Sequence, residues 1–274
     1  MFEKVNPGHP DKMADRLAGA VVDLVYERAG GLTKANPRVA CEVMAGHGRV
    51  DVQIETSLGR MDLRAEDIDP LISRLFGERV VGNVLIAPQD AHLSENQTRG
   101  LRCGDNGIFK GSPVSSEQAE LSNLAHQLYQ KYPTDGKFIV HGNRLTICQS
   151  QAKNRDLRKF FEEKGYKELT INPLGEWEGG PNVDSGATNR KLGSDMGDGV
   201  TGGGLHGKDL SKADVSVNIF CHIMAQKTNR DYKAVCAIGD EYVNGIPFAN
   251  IVGLAKNYID KLGGFEKFAE WGLI

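Results

Sequence analysis

The stretch GGPNVDSGATNRKLGSDMGDGVTGGGLHGKDLSKAD, residues 179–214, holds ten glycines, five aspartates and four lysines or arginines but almost no large apolar side chain. It reads as a segment excluded from the core, so the fold has to be built from what flanks it. Glycine lets a backbone approach a ligand closely or enter φ > 0. Cations mixed with carboxylates suit a phosphate ester together with its divalent metal. Gly202 and Gly207-Lys208 have the G-x-x-x-x-G-K spacing of a phosphate-cradling loop, although Asp209 stands where that motif has Ser or Thr and no clear buried strand leads in. A long surface loop is the plain alternative. The charges at both ends favour a polyphosphate site.

Outward from this stretch, the pattern alternates between strand and helix. On the C-terminal side a helix starts near Ser211 and buries Val215, Ile219 and Ile223. A strand over 232–238 follows, then a helix over 247–262 closed by Gly263-Gly264. On the N-terminal side, Asp135-Gly136-Lys137 opens a hairpin (138–141 and 144–148) across Gly142-Asn143. It is followed by a helix ending at Gly165 and a strand over 167–171. Ser115 and Gln118 form a capping-box pattern ahead of a helix that turns Leu121, Leu124, Ala125 and Leu128 inward. Cys103-Gly104-Asp105-Asn106-Gly107 is a tight acidic turn, and 88–102 is polar and aperiodic, as suits a mobile loop. Residues 80–87 read as a buried strand and Asp69-Pro70 as the start of a short helix.

Nearer the beginning, Gly8-His9-Pro10-Asp11-Lys12 leads into a helix whose apolar face is Met13, Leu17, Ala20, Val21, Leu24 and Val25. Imidazole, carboxylate and ammonium at a positive helix end can hold a phosphate and a metal together; plain helix capping is the alternative reading. A second hairpin, 37–45 and 50–58, turns at 46–49 and pairs Ala45 with Val50. Glu42 then opposes Gln53 and shares a face with Glu55, an acidic surface that wants cations or is simply solvated. Hairpins and strands alternate with helices three times, which points to three small α/β units.

Of the chain's 274 residues, 40% are hydrophobic and 25% charged, as in an ordinary globular protein, and the net charge of −3 argues against sequence-independent nucleic-acid binding. No apolar run is long enough to span a bilayer, and residues 1–12 have no apolar signal core. Five widely spaced cysteines with no C-x-x-C pattern read as reduced, buried residues of a cytoplasmic protein with no membrane partner.

From about residue 3 to 238 the chain resembles the S-adenosylmethionine synthetases (methionine adenosyltransferases). The motifs occur in the family's order: Gly8-His9-Pro10-Asp11-Lys12 with Ala14-Asp15, Ala40-Cys41-Glu42, 103–107, Asp135-Gly136-Lys137, and Asn172-Pro173. Gly179-Gly180-Pro181, Asp184, Arg190-Lys191 and Gly207-Lys208-Asp209 with Lys212 and Asp214 complete the set. The resemblance implies an α/β fold (α+β type) of three similar domains around a pseudo-threefold axis, divided near 1–100, 101–172 and 173–274. It implies a homodimer, or a tetramer of paired dimers, with active sites shared between subunits, and ATP and L-methionine as substrates.

Carried over by motif, His9, Arg190, Lys191 and Lys208 are the catalytic residues that hold the triphosphate. Asp135, Lys137, Trp177 and Asp184 contact ATP, and Glu55, Gln97, Asp105, Asp184 and Lys212 contact methionine. Asp11 and Asp214 hold Mg²⁺, with two ions implied per site, and Glu42 holds K⁺. Three departures stand out: the chain is short around 60–103 and 149–165, Glu176-Trp177 replaces an Arg-Phe pair, and Val215 replaces an arginine. A degenerate homologue that hydrolyses tripolyphosphate or ATP, or a non-catalytic nucleotide-binding subunit, are the competing readings.

Overall fold

The structure, a computed structural model, describes residues 1–34, 36–59, 61–93 and 100–274. Its central element is helix α1 (Pro10–Arg28), whose apolar stripe of Leu17, Val21 and Val25 is fully buried. One side of α1 lies on a four-stranded sheet of order β4-β3-β2-β9, where β2 is Val39–Gly46, β3 Arg49–Thr56, β4 Val81–Pro88 and β9 Gly186–Ala187. The β2–β3 register joins Ala45 to Val50 and Glu42 to Gln53. Period-2 alternation excludes a slip of one residue, which would expose Val50, Val52 and Ile54, and the tight turn between Gly46 and Arg49 sets the rest of the register. β4 then runs parallel to β3, reached through α2 (Asp69–Phe76).

The second sheet repeats the sequence of events. β6 (Gly136–His141) and β7 (Arg144–Gln149) form a hairpin, α4 (Asn154–Glu162) crosses over, and β8 (Glu168–Ile171) returns parallel to β7. β1 (Phe2–Val5) pairs with β6 as β9 pairs with β2. α3 (Ser116–Lys131) covers this sheet and begins with the expected capping box, Ser115 Oγ accepting from Gln118 N and Gln118 Oε1 from Ser115 N.

A smaller third set pairs β10 (Tyr232–Cys236) antiparallel with β5 (Gly107–Gly111), and β11 (Tyr242–Val243) with β12 (Ile246–Pro247). The short α5 (Leu192–Met196) lies in the glycine-rich stretch. α6 (Ala213–Thr228), α7 (Phe248–Leu262) and α8 (Phe265–Trp271) complete the mixed α/β chain, α7 closing on left-handed Gly263 as expected.

Two expectations are corrected. The strand after α2 is not buried: β4 is a sheet edge, and Val81 and Leu85 are 67% and 58% exposed. Nor is 179–214 excluded from the core, because Asp195, Leu205, His206, Asp209 and Leu210 are all buried. The segment runs along the free edge of β2, with Ala187 opposite Met44 and Lys208 bridging Ala40. Two of its glycines serve close packing there. A Cβ on Gly186 would lie 2.2 Å from the Pro10 carbonyl, and one on Gly207, at φ +79°, would lie 2.3 Å from the Cys41 carbonyl oxygen.

Candidate active site

The charged side chains singled out in the sequence form two clusters. The first surrounds the N-terminus of α1. His9 is its N-cap residue, and its Nδ1 accepts from Asp11 N at 3.2 Å, so the neutral ring carries its proton on Nε2. Burial, reinforced by Lys191, pulls the His9 pKa down to about 4. The Asp11 carboxylate accepts from Lys191 Nζ at 2.6 Å and Ala187 N at 2.8 Å, with Arg190 at 3.6 Å. Burial alone would raise its pKa, but the Lys191 and Ala187 bonds outweigh that and hold it below the usual range.

Asp135 stands beside them, its Oδ2 accepting from Gly180 N at 3.1 Å. Burial, with Asp184 and Asp11 nearby, pushes its pKa up to about 6 despite that amide. Asp184 is exposed and accepts from Ser185 N. Lys137 pairs with Glu3 at 2.8 Å. Trp177 donates from Nε1 to Asn172 and, with Gln151, Lys153 and Glu176, lines a hollow of about 430 Å³. The anion beside it is already engaged: Glu176 pairs with Lys153 at 2.9 Å and accepts from Asn154 N at the start of α4.

The second cluster lies where the glycine-rich stretch meets the exposed face of the first sheet. Lys208 donates to Asp214, in the first turn of α6, and Lys212 lies 4.0 Å from Asp105. Burial would lower the Lys208 pKa, but Asp214 and Asp105 raise it instead. Asp105 is raised, first by burial and then by Asp214, and its buried Oδ2 has no hydrogen-bond partner among the described residues. Glu42 accepts from Thr188 Oγ1. Glu55 is opposite Ala40, which Lys208 bridges from the other side, so Lys208, Ala40 and Glu55 form a row across the sheet. Gln97 lies outside the described residues.

The clusters meet along β9, where Ala187 N bonds Asp11 and the next residue, Thr188, bonds Glu42. Their charged side chains form no ion pair with each other among the described residues. Asp11 and Asp214, the two expected magnesium ligands, therefore belong to different clusters, each engaged by its own lysine. Both offer hard oxygen donors of the kind Mg²⁺ takes, and both are nearly closed to solvent, at 2% and 6% exposed. The triad Asp15, Asp195 and His206 also has metal-ligand spacing, but Lys12 Nζ sits among these atoms at 2.7, 2.8 and 3.2 Å from the carboxylates. The ammonium already supplies the positive charge, so this triad does not fit a metal. This cluster was missed in the sequence; its only signal was the i,i+3 spacing of Lys12 and Asp15 on one face of α1.

Fold and site together define a mixed α/β protein in which two adjoining clusters pair carboxylates with lysines. No protein-family model matches the chain. An S-adenosylmethionine synthase of Jannaschia sp. (strain CCS1) is 27% identical, covering 93% of this chain and 77% of that protein. One of Zymomonas mobilis is 28% identical, covering 82% and 72%. Among solved structures, an unusual S-adenosylmethionine synthetase from Campylobacter jejuni superposes with a TM-score of 0.76 at 18% identity, covering 100% of this chain and 95% of that one. The chain is thus similar to S-adenosylmethionine synthetases over most of its length and is shorter than the curated relatives. Among the described residues no helix is long and apolar enough to cross a membrane.

Proposed function

We propose that the chain is a methionine adenosyltransferase, making S-adenosylmethionine, phosphate and pyrophosphate from ATP, L-methionine and water. The observation that carries this reading is the pairing of each cluster's carboxylate with a lysine, Asp11 with Lys191 and Asp214 with Lys208. Each pair can exchange partners when a triphosphate arrives with its metal, the lysine turning to phosphate oxygens and the carboxylate to the cation.

The methionine sulfur attacks C5′ of ATP, the C5′–O bond breaks, and the electron pair leaves with the triphosphate. Sulfur has no proton to lose, so no general base is required. The barrier lies in charge gathering on the leaving group, which His9, Arg190, Lys191 and Lys208 would stabilise. In-line placement of sulfur and C5′ supplies much of the rest. Asp11 and Asp214 would hold Mg²⁺, which brings positive charge to the phosphates when bound, and Glu42 would hold K⁺. Glu55, Asp184 and Lys212 would orient methionine beside Asp105, and Trp177 would stack on adenine between Asp135 and Lys137. Water then cleaves the triphosphate.

The two-cluster geometry favours a homodimer in which the His9–Asp11–Lys191 cluster of one copy faces the Glu55–Lys208–Asp214 cluster of the other. The second cluster borders a sheet face on which Met44 and Leu85 are exposed, a surface a second copy would cover. The two repeated hairpin–helix–strand units and the reduced third set support three related domains near 1–100, 101–172 and 173–274, with β1, β5 and β9 exchanged between them.

Mass spectrometry after incubation with ATP, methionine, Mg²⁺ and K⁺ decides the matter. S-adenosylmethionine with phosphate and pyrophosphate is expected. Phosphate release without the sulfonium would identify a tripolyphosphatase or ATPase, and no turnover a nucleotide-binding subunit.

A further inference from the structure

We infer that the buried cluster Lys12–Asp195–His206, with Asn189 as its outlying clamp, is a positioning unit that sets Lys208 and Lys191 against the start of α1. The inference rests on the proposed adenosyl transfer for its kinetic consequences and on the structure for the rest.

Lys12, Asp195 and His206 are at most 2% exposed. Lys12 Nζ donates to both Asp195 oxygens, at 2.7 and 2.8 Å, and His206 Nε2 lies 2.9 Å from Asp195 Oδ2. A charge taken this far from water persists only where its partners are fixed, so the cluster has little freedom to relax. Lys12 is three residues from His9 on α1, and Asp195 is four residues beyond Lys191. His206 is two residues before Lys208. One set of contacts therefore grips all three segments that carry the proposed phosphate-facing groups His9, Lys191 and Lys208.

Asn189 completes the grip. It sits at φ +62°, a left-handed conformation that Asn tolerates better than most residues. Its amide donates to Asp15 Oδ1 at 2.7 Å, its Oδ1 accepts from Leu205 N and His206 N, and its Nδ2 donates to His206 O. Arg190 and Lys191 follow directly. A change in the 205–206 turn is thus passed to both clusters through Asn189 and Asp195, although His206 itself touches no group expected to meet substrate.

The test compares His206→Leu, which loses the bond to Asp195, with His206→Gln, whose amide can keep a donor there. His206→Leu should lower kcat about 10- to 100-fold, the cost of misplacing a charge-stabilising group by a fraction of an ångström to an ångström, with KM for methionine within roughly 3-fold. His206→Gln should recover most of the rate. Hydrogen exchange of 189–191 and 205–209 should be about 10-fold faster in the leucine variant and near wild type in the glutamine variant, as local opening becomes easier. Near-normal turnover in His206→Leu, equal damage in both variants, or unchanged exchange in 189–191 would overturn the inference. A wild-type chain that makes no S-adenosylmethionine refutes the functional reading alone, since the exchange comparison still decides the positioning role.

Discussion

His9 illustrates how burial chooses the chemistry of a residue. With its pKa near 4, the ring is neutral at physiological pH and offers its Nε2 proton as a hydrogen-bond donor. The unfolded chain takes up this proton near the ordinary value of 6.5, while the folded chain resists until about 4. Stability should therefore fall as pH drops from 6.5 towards 4, because the unfolded state binds the extra proton in that window. Replacing His9 with Asn should flatten that part of a plot of Tm against pH; an unchanged slope would mean the ring titrates normally. Lys208 poses the opposite case, a cation kept charged by Asp214 and Asp105 despite its burial. Lys208→Ala is expected to lower kcat by roughly 10²–10³, the usual loss on removing one charge-stabilising donor, with a much smaller change in KM for methionine. Steady-state kinetics with near-normal turnover would take Lys208 away from the reacting phosphates.

At the level of elements, the β2–β3 hairpin brings two carboxylates with separate proposed tasks onto one face. Glu42 accepts from Thr188, whereas Glu55 lies in line with Ala40 and Lys208. Glu42→Gln should weaken the dependence on monovalent cations, and Glu55→Gln should chiefly raise the methionine concentration needed. Indistinguishable kinetic defects in the two variants would refute this division. That face was legible because period-2 alternation decides which residues share a side once one side must be buried, and the short turn then sets the register. Ser115–Gln118 and Gly263 were legible for a similar reason, each being a local device whose partners lie within a few residues. The burial of 179–214 was not, because its partners, β2 and α1, lie far away in the chain. Composition could not show that glycines at 186 and 207 permit backbone contact where ligand approach was the natural reading. Gly207→Ala, forced to φ +79° and towards the Cys41 carbonyl, should cost roughly 2 kcal/mol or more in a denaturant titration. A cost near zero would mean that the 206–209 segment can move away from β2.

For the whole molecule, the separation of charges into two clusters sets what the proposed dimer asks of each copy. In the proposed dimer, each site takes His9, Asp11 and Lys191 from one copy and Glu55, Asp105 and Lys208 from the other. The division falls inside the glycine-rich stretch, between Lys191 and Lys208, because α5 and the 197–204 turns carry the chain from the edge of β9 to the bridge with Ala40. Mixing inactive His9→Ala and Glu55→Ala chains should then restore activity, since every mixed dimer has one site with both lesions and one with neither. Random exchange makes half of the dimers mixed, so recovery should approach about a quarter of the wild-type rate by the symmetry of an isologous pair. Lys208→Ala should complement His9→Ala to the same extent but fail with Glu55→Ala, because those two lesions belong to one cluster and always leave both sites damaged. Native mass spectrometry would establish that subunits exchange. If Lys208→Ala rescued Glu55→Ala instead, Lys208 would serve the cluster of its own chain's Lys191, and the site would have to be rebuilt with the whole 179–214 segment on one side.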